Sequence, residues 1–298
     1  MTTARDDAFV RAMPVVFVLI WSTGFIVARY GMPLSPPMKF LATRYALSIL
    51  CFLPWIMLAK VAWPQSRAQW QHLAVTGVLM HACYLGGVWA AVKAGMGSGL
   101  AALIVGLQPV LTAFWLSSMG NRVSKRQWLG LLLGLTGLVM VVSHKFGSGA
   151  EAHWQNMLLA LGALLGITVG TLYQKRFVAP CDVRTANVAQ LGAALLVTLP
   201  LTWFEPEPMQ WNAQLAGAMA WSVLALTLGG SSLLYLLIQR GAAASVTSLM
   251  YLVPPCTALL AWLLFAEPIT AITLAGTLLT VVGVALVVRA AKPANVGP

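Results

Sequence analysis

Ser22 and Thr168 stand 146 residues apart, each near the middle of an apolar run. Trp21 and Thr23 flank the first, and Thr171 follows the second by three positions, on the same helical face. His81 and Tyr84 are three apart and share a face of another apolar run, where Trp89 has Tyr235 as its counterpart at the same offset. Ser231 and Ser232 lie within a turn of Tyr235. Gln108 precedes Pro109, and Thr247, Ser248 and Tyr251 line successive turns of a further run. Polar groups in such surroundings are costly and point to function. Hydroxyl, amide and imidazole groups beside aromatic faces suit a small zwitterion, held by hydrogen bonds and by apolar contact with its side chain. The aromatic faces would attract an ammonium group by about 0.5–2 kcal/mol. No carboxylate stands among these residues, which weighs against a polycation site. Each group also has a plainer role. A membrane-helix Ser or Thr usually bonds its own i−4 carbonyl, and Trp or Tyr near helix ends forms an interfacial belt. Trp55, Trp63, Trp70, Trp128, Trp154, Trp203 and Trp211 fit that belt.

The elements that must position these residues are membrane helices. Of 298 residues 59% are hydrophobic and only 8% charged, whereas a soluble domain carries roughly 25% charged residues. The net charge of +11 comes from basic residues scattered in short loops without interleaved aromatics, so nucleic-acid binding is not expected. No GxSxG, HExxH, phosphate-binding loop or carboxylate pair occurs. No catalytic residue, metal or cofactor is therefore expected. Cys51, Cys83, Cys181 and Cys256 have no metal-type spacing and read as small apolar residues.

A helix needs about 20 apolar residues to cross the hydrocarbon core. Ten runs fit: 13–30, 38–58, 70–92, 98–119, 127–144, 155–175, 185–204, 214–239, 245–265 and 270–289. The first resembles a signal peptide but runs on without a small-x-small cleavage site, so it is read as a retained span. With ten spans, one side of the membrane receives Arg5, Arg11, Lys60, Arg67, Arg122, Lys125, Arg126, Lys175, Arg176, Arg184, Arg240, Arg289 and Lys292. The other receives Arg29, Lys39, Lys93 and Lys145. The positive-inside rule then places both termini in the cytoplasm. Arg44 alone falls inside a span, near its outer end, where snorkelling and structural anchoring are expected rather than anion binding.

The 146-residue offset pervades the chain. Gly95 meets Gly241, Pro109 meets Pro255, Gly130 meets Gly276 and Gly137 meets Gly283. Upstream, Gly24 meets Gly170 and Pro54 meets Pro200. The chain thus reads as two five-helix repeats, 13–144 and 155–289. An odd number of crossings per copy inverts the second relative to the first, the architecture of many secondary transporters. Gly130, Gly134 and Gly137, with Gly276 and Gly283, predict a close seam between the repeats or between protomers. Pro109 and Pro255, with Pro254 beside the latter, predict matched mid-span kinks facing a central cavity. Gly95, Gly97 and Gly99, and Ala242, Ala243 and Ala244 in the second copy, mark tight connections where a helix end could swing.

Tyr251-Leu-Val-Pro-Pro-Cys-Thr-Ala-Leu-Leu-Ala-Trp-Leu-Leu-Phe-Ala-Glu267-Pro, followed by Leu274-Ala-Gly276 and Gly283, resembles the ninth and tenth helices of the drug/metabolite transporter superfamily, in its EamA-type members. Arg44-Tyr45 also resembles the arginine often found in that family's second helix, and Gln190 takes its place in the second copy. Asn121 departs from the pattern where an acid would match Glu267. The resemblance implies a ten-helix carrier with a central cavity between the repeats. Its substrate would be a small molecule, most often an amino acid or metabolite exported across a bacterial inner membrane.

All seven acids fall in tails, loops or span ends. His81 is the one candidate for an intramembrane proton switch, with a packing histidine as the alternative. A drug or quaternary-cation efflux carrier of the same fold is the second functional reading, and an integral-membrane enzyme a remote third. No filter-like loop recurs to suggest a channel. The oligomeric state is not legible.

Overall fold

The computed structural model describes residues 4–118, 124–147, 152–239 and 253–290. Its elements are all helical, and no strand occurs among the described residues. In chain order they are α1 (Ala4–Gly31), α2 (Pro37–Leu58) and α3, which is continuous through Arg67–Gly77, Val78–Cys83 and Tyr84–Lys93. Next come α4 (Ser98–Val105), α5 (Gln108–Ser118), α6 (Lys125–Gly147), α7 (Trp154–Phe177) and α8 (Val183–Leu201). The helix α9 is continuous through Ala213–Trp221, Ser222–Ser231 and Ser232–Gln239, and α10 (Val253–Phe265) and α11 (Ala271–Ala290) follow. Among the described residues, six helical stretches are long and apolar enough to cross a membrane: α2, α3, α6, α7, α8 and α9. Four shorter apolar stretches lie in α1, α4–α5, α10 and α11.

Local chemistry places the helix ends. Ser66 accepts a hydrogen bond from Gln69 N and caps α3, Asp182 from Arg184 N caps α8, and Asn212 from Leu215 N caps α9. Ser124 and Gln127 form a reciprocal capping box on α6. At the end of α3, Gly95 has φ +94°; its N–H donates to Val92 O and that of Met96 to Ala91 O, a Schellman stop. Gly97 caps α4. These roles suffice to explain both glycines without a hinge.

Two backbone departures bear on the cavity. Val78–Cys83 and Ser222–Ser231 are π-helical, and the first coincides with the second at the 146-residue offset (78 with 224, 83 with 229). Such widened turns often accompany functional sites. The fourth apolar run breaks at Gly106–Leu107, and Pro109 is the second residue of α5, where a missing N–H leaves little unsatisfied. Pro254 and Pro255 lie in the first turn of the described part of α10, and the residues just before Val253 lie outside the described residues. The break falls at a close crossing: a Cβ on Gly106 would lie 2.7 Å from Pro254 Cγ.

Helices related by the offset pack against each other antiparallel. The N-terminus of α2 meets the chain just after α8, through Glu205 on Met38 N and Lys39 N. At the other end, the Arg184 guanidinium lies 5.1 Å from the Trp55 ring. The glycine seam joins α6 to α11 within the chain: a Cβ on Gly276 would come within 2.7 Å of Gly137 O, and one on Gly283 within 2.5 Å of Gly130 O. The belt tryptophans Trp55, Trp128, Trp154, Trp203 and Trp211 are exposed, whereas Tyr84, Trp89 and Tyr235 are buried. Cys51 and Cys83 lie on the outer surface, not in the core.

Gly283→Ala is expected to destabilise the protein by roughly 1–3 kcal/mol through overpacking. Gly162→Ala, where a Cβ meets nothing within 4 Å, is expected to be neutral or slightly stabilising. Denaturation midpoints of the two variants in one detergent check the difference.

Candidate functional site

The widened turns of α3 and α9 face a cavity in the middle of the bundle. Its lining comes from α1 (Trp21, Gly24, Phe25), α2 (Arg44) and α3 (Met80, His81, Tyr84, Leu85, Val88, Trp89). From the second half come α7 (Gln174), α8 (Gln190) and α9 (Leu226, Ser231, Leu234, Tyr235). Trp21 and Tyr84 stack at 6.1 Å between ring centroids, 5° from parallel. Trp89 is fully buried and stacks on Phe40 at 4.4 Å. The Tyr235 hydroxyl lies 3.0 Å from Cys181 Sγ.

Arg44 is the principal difference from expectation. It does not snorkel: only 3% of its surface is exposed, it lines the cavity, and its Nε donates to Thr227 Oγ1 at 3.0 Å. Eight residues into α2, its side chain points inward because α8, α9 and α3 pack around that face. At the offset, Arg44 corresponds to Gln190 and Thr227 to His81, and Gln190 and His81 line the same cavity. α2 and α8 thus each bring a polar side chain to this cavity, one a cation and the other a neutral amide. His81 is held by its carbonyl, which accepts from Tyr45 Oη at 2.9 Å.

The structure brings Trp21, His81, Tyr84, Trp89, Ser231 and Tyr235 to this cavity. Gln108 and Pro109 line a smaller adjoining cavity that shares Trp21 and Phe25, and Gln108 Nε2 donates to Thr171 Oγ1 at 3.1 Å. Ser22, Thr168 and Thr171 donate to the carbonyls of Val18, Leu164 and Ile167, one turn back. Ser22 and Thr168 line neither cavity. Thr23 bonds Ile20 O and accepts from Trp221 Nε1, and Ser232 accepts from Asn187. Thr247, Ser248 and Tyr251, with Asn121 and Ala242 to Ala244, lie outside the described residues. Sequence reasoning left out Gln174 and Gln190 and read Arg44 as an anchor. The available signal was polar residues at membrane depth, two of them matched at the offset.

At one end of the bundle, hydrogen bonds tie the two halves together. The Glu267 carboxylate accepts from Ser98 N at 3.1 Å and Ser98 Oγ at 2.9 Å, capping α4. Glu205 accepts from Met38 N and Lys39 N, both at 2.9 Å, capping α2. Both anions meet the positive end of a helix dipole. Glu207 pairs with Lys93 at 2.8 Å in solvent, and that hydrogen bond holds its carboxyl below the usual glutamate range. The contribution of this pair is therefore present above the ordinary glutamate pKa and fades as pH falls through the lowered value.

A cavity walled by both halves of a helical membrane bundle is the arrangement of a carrier, and comparison with known proteins agrees. The model of the EamA-like transporter family matches twice, over residues 12–143 and 154–289. The chain belongs to that family and is a transmembrane transporter. It is 26% identical over 245 residues to the inner membrane transporter YedA of Escherichia coli, covering 81% of this chain and 78% of that protein. It is 26% identical over 288 residues to the transporter YvbV of Bacillus subtilis, covering 94% and 92%. A Salmonella typhimurium protein described as a probable amino-acid metabolite efflux pump is 23% identical over 198 residues, covering 66% and 62%. A solved crystal structure shares the fold with a TM-score of 0.69 at 19% identity, over 92% of this chain and 95% of that one.

Glu267→Gln, which weakens a buried cap, is expected to cost about 0.5–2 kcal/mol of stability. Glu207→Gln is expected to leave the unfolding midpoint nearly unchanged, since Glu207 is exposed and the pair is screened by solvent. Thermal melts at neutral pH compare the two.

Proposed function

We propose that this chain exports amino acids or related small metabolites across a bacterial cytoplasmic membrane by alternating access through the central cavity. In this reading all ten apolar stretches cross the bilayer, in two inverted halves spanning 13–144 and 155–289, and both termini are cytoplasmic. The antiparallel packing of α2 with α8 and of α6 with α11 supports the inversion. The observation that carries the function is the central cavity, where aromatic faces stand beside amide, hydroxyl and imidazole groups from both halves. Relatives named as inner membrane transporters and amino-acid metabolite efflux pumps support the location and the substrate range. Trp21, Tyr84 and Trp89 form the apolar wall, and His81, Gln190, Ser231 and Tyr235 supply the polar contacts. The same cavity disfavours quaternary-cation efflux, because no carboxylate lines it among the described residues.

Counterflow in proteoliposomes, scanned over labelled amino acids, metabolites and organic cations, tests the reading. Saturable exchange of amino acids or metabolites is expected, and exchange of cations alone would overturn it. Loss of the Trp21 stack in Tyr84→Ala is expected to raise the half-saturation concentration roughly two- to tenfold, with Ser22→Ala unchanged. If His81 relays protons, His81→Ala flattens the pH profile of transport; an unaltered profile removes it from coupling. Single cysteines replacing Arg122 and Lys145 are expected to label from opposite sides of the membrane. Labelling from one side would discard the inverted arrangement.

A further inference from the structure

Burying a lone guanidinium in a membrane bundle is expensive unless something balances it. Arg44 has five N–H donors, and among the described residues only its Nε has a hydrogen-bond acceptor, Thr227 Oγ1. No carboxylate pairs with it among the described residues. A second donor in the same wall is also unspent. Gln174 is 4% exposed, and its Nε2 has no hydrogen-bond partner while its Oε1 accepts from Gln190. The cavity thus presents one full positive charge, unpaired donors and no acid, beside the stacked Trp21 and Tyr84.

We infer that Arg44 is the substrate-recognition cation of this carrier, and that the favoured substrate is a monoanionic organic carboxylate with an apolar or aromatic body and no ammonium group. The inference rests on the carrier reading and narrows its substrate class. A carboxylate accepts from the guanidinium fork in bidentate fashion and neutralises the charge. Its remaining lone pairs suit an amide donor such as Gln174 Nε2. A zwitterionic amino acid would bring an ammonium that finds no counter-charge in the described lining. A phosphate ester carries close to two negative charges against one cation.

The full-length protein in nanodiscs, titrated with four ligands of one aromatic body, tests this by thermal shift and tryptophan fluorescence. The ligands are 3-phenylpropionate, phenylalanine, phenethylamine and phenyl phosphate. Binding is expected to be strongest for 3-phenylpropionate, weaker for phenylalanine and phenyl phosphate, and absent for phenethylamine. Arg44→Gln is expected to weaken 3-phenylpropionate binding at least about tenfold, with Arg44→Lys intermediate. Gln174→Met is expected to weaken it by a smaller factor. The wild-type order of ligands decides the matter even if Arg44→Gln does not fold. Phenethylamine or phenyl phosphate binding as tightly as 3-phenylpropionate overturns the inference. So does phenylalanine outranking its desamino analogue, absence of any carboxylate binding, or an Arg44→Gln protein with the same order. Intact binding without saturable exchange in proteoliposomes would instead overturn the carrier reading.

Discussion

Within a bilayer no water stands ready to satisfy a polar group, so each one must find a partner in the protein. That constraint sorts the polar residues of this chain by fate. Ser22, Thr168 and Thr171 turn back on their own helices. Asn187 and Ser232 pair across two helices. Glu205 and Glu267, which look like loop acids, are spent on the exposed N–H groups where α2 and α4 begin. Ser48, Thr198 and Ser222 keep unpaired hydroxyls away from the cavity, whereas Arg44 and Gln174, which keep donors that the described residues do not use, both line it.

The same constraint explains how the helices approach so closely. Apolar side chains gain little by leaving lipid for one another, so contact depends on shape. Glycines let α6 and α11 meet backbone to backbone, and Gly77 brings α3 against the backbone of Gln190 in α8. Gly106 passes close to the Pro254 ring where the fourth apolar run breaks between α4 and α5. The break and the two π-helical turns all border the cavities. The 146-residue offset is kept in the packing and departed from in the chemistry. At that offset Arg44 corresponds to Gln190 and Thr227 to His81. The scaffold can tolerate either residue there, but only one of them carries charge.

Much of this was legible beforehand. Apolar runs, belt tryptophans and the 146-residue offset are properties of the linear chain, and the residues Gly137, Gly276 and Gly283 identified the seam. Trp21, His81, Tyr84, Trp89, Ser231 and Tyr235 were legible as a group because helical spacing put pairs of them on shared faces. Arg44 was misjudged because its distance from the helix end permits snorkelling, and linear position does not say which way the helix is turned. Pro109 marked a disruption of the fourth apolar run, and the structure places that disruption at Gly106–Leu107, just before it.

Composition and periodicity by themselves determined that the chain is helical and lives in a membrane, and exposed its 146-residue offset, because hydropathy and repetition are read one residue at a time. Only the tertiary structure decided which polar groups face a common space and which are consumed locally. Rotation of each helix about its own axis is set by its neighbours, and that rotation turned Arg44 inward while leaving Ser22 and Thr168 bonded to their own backbones.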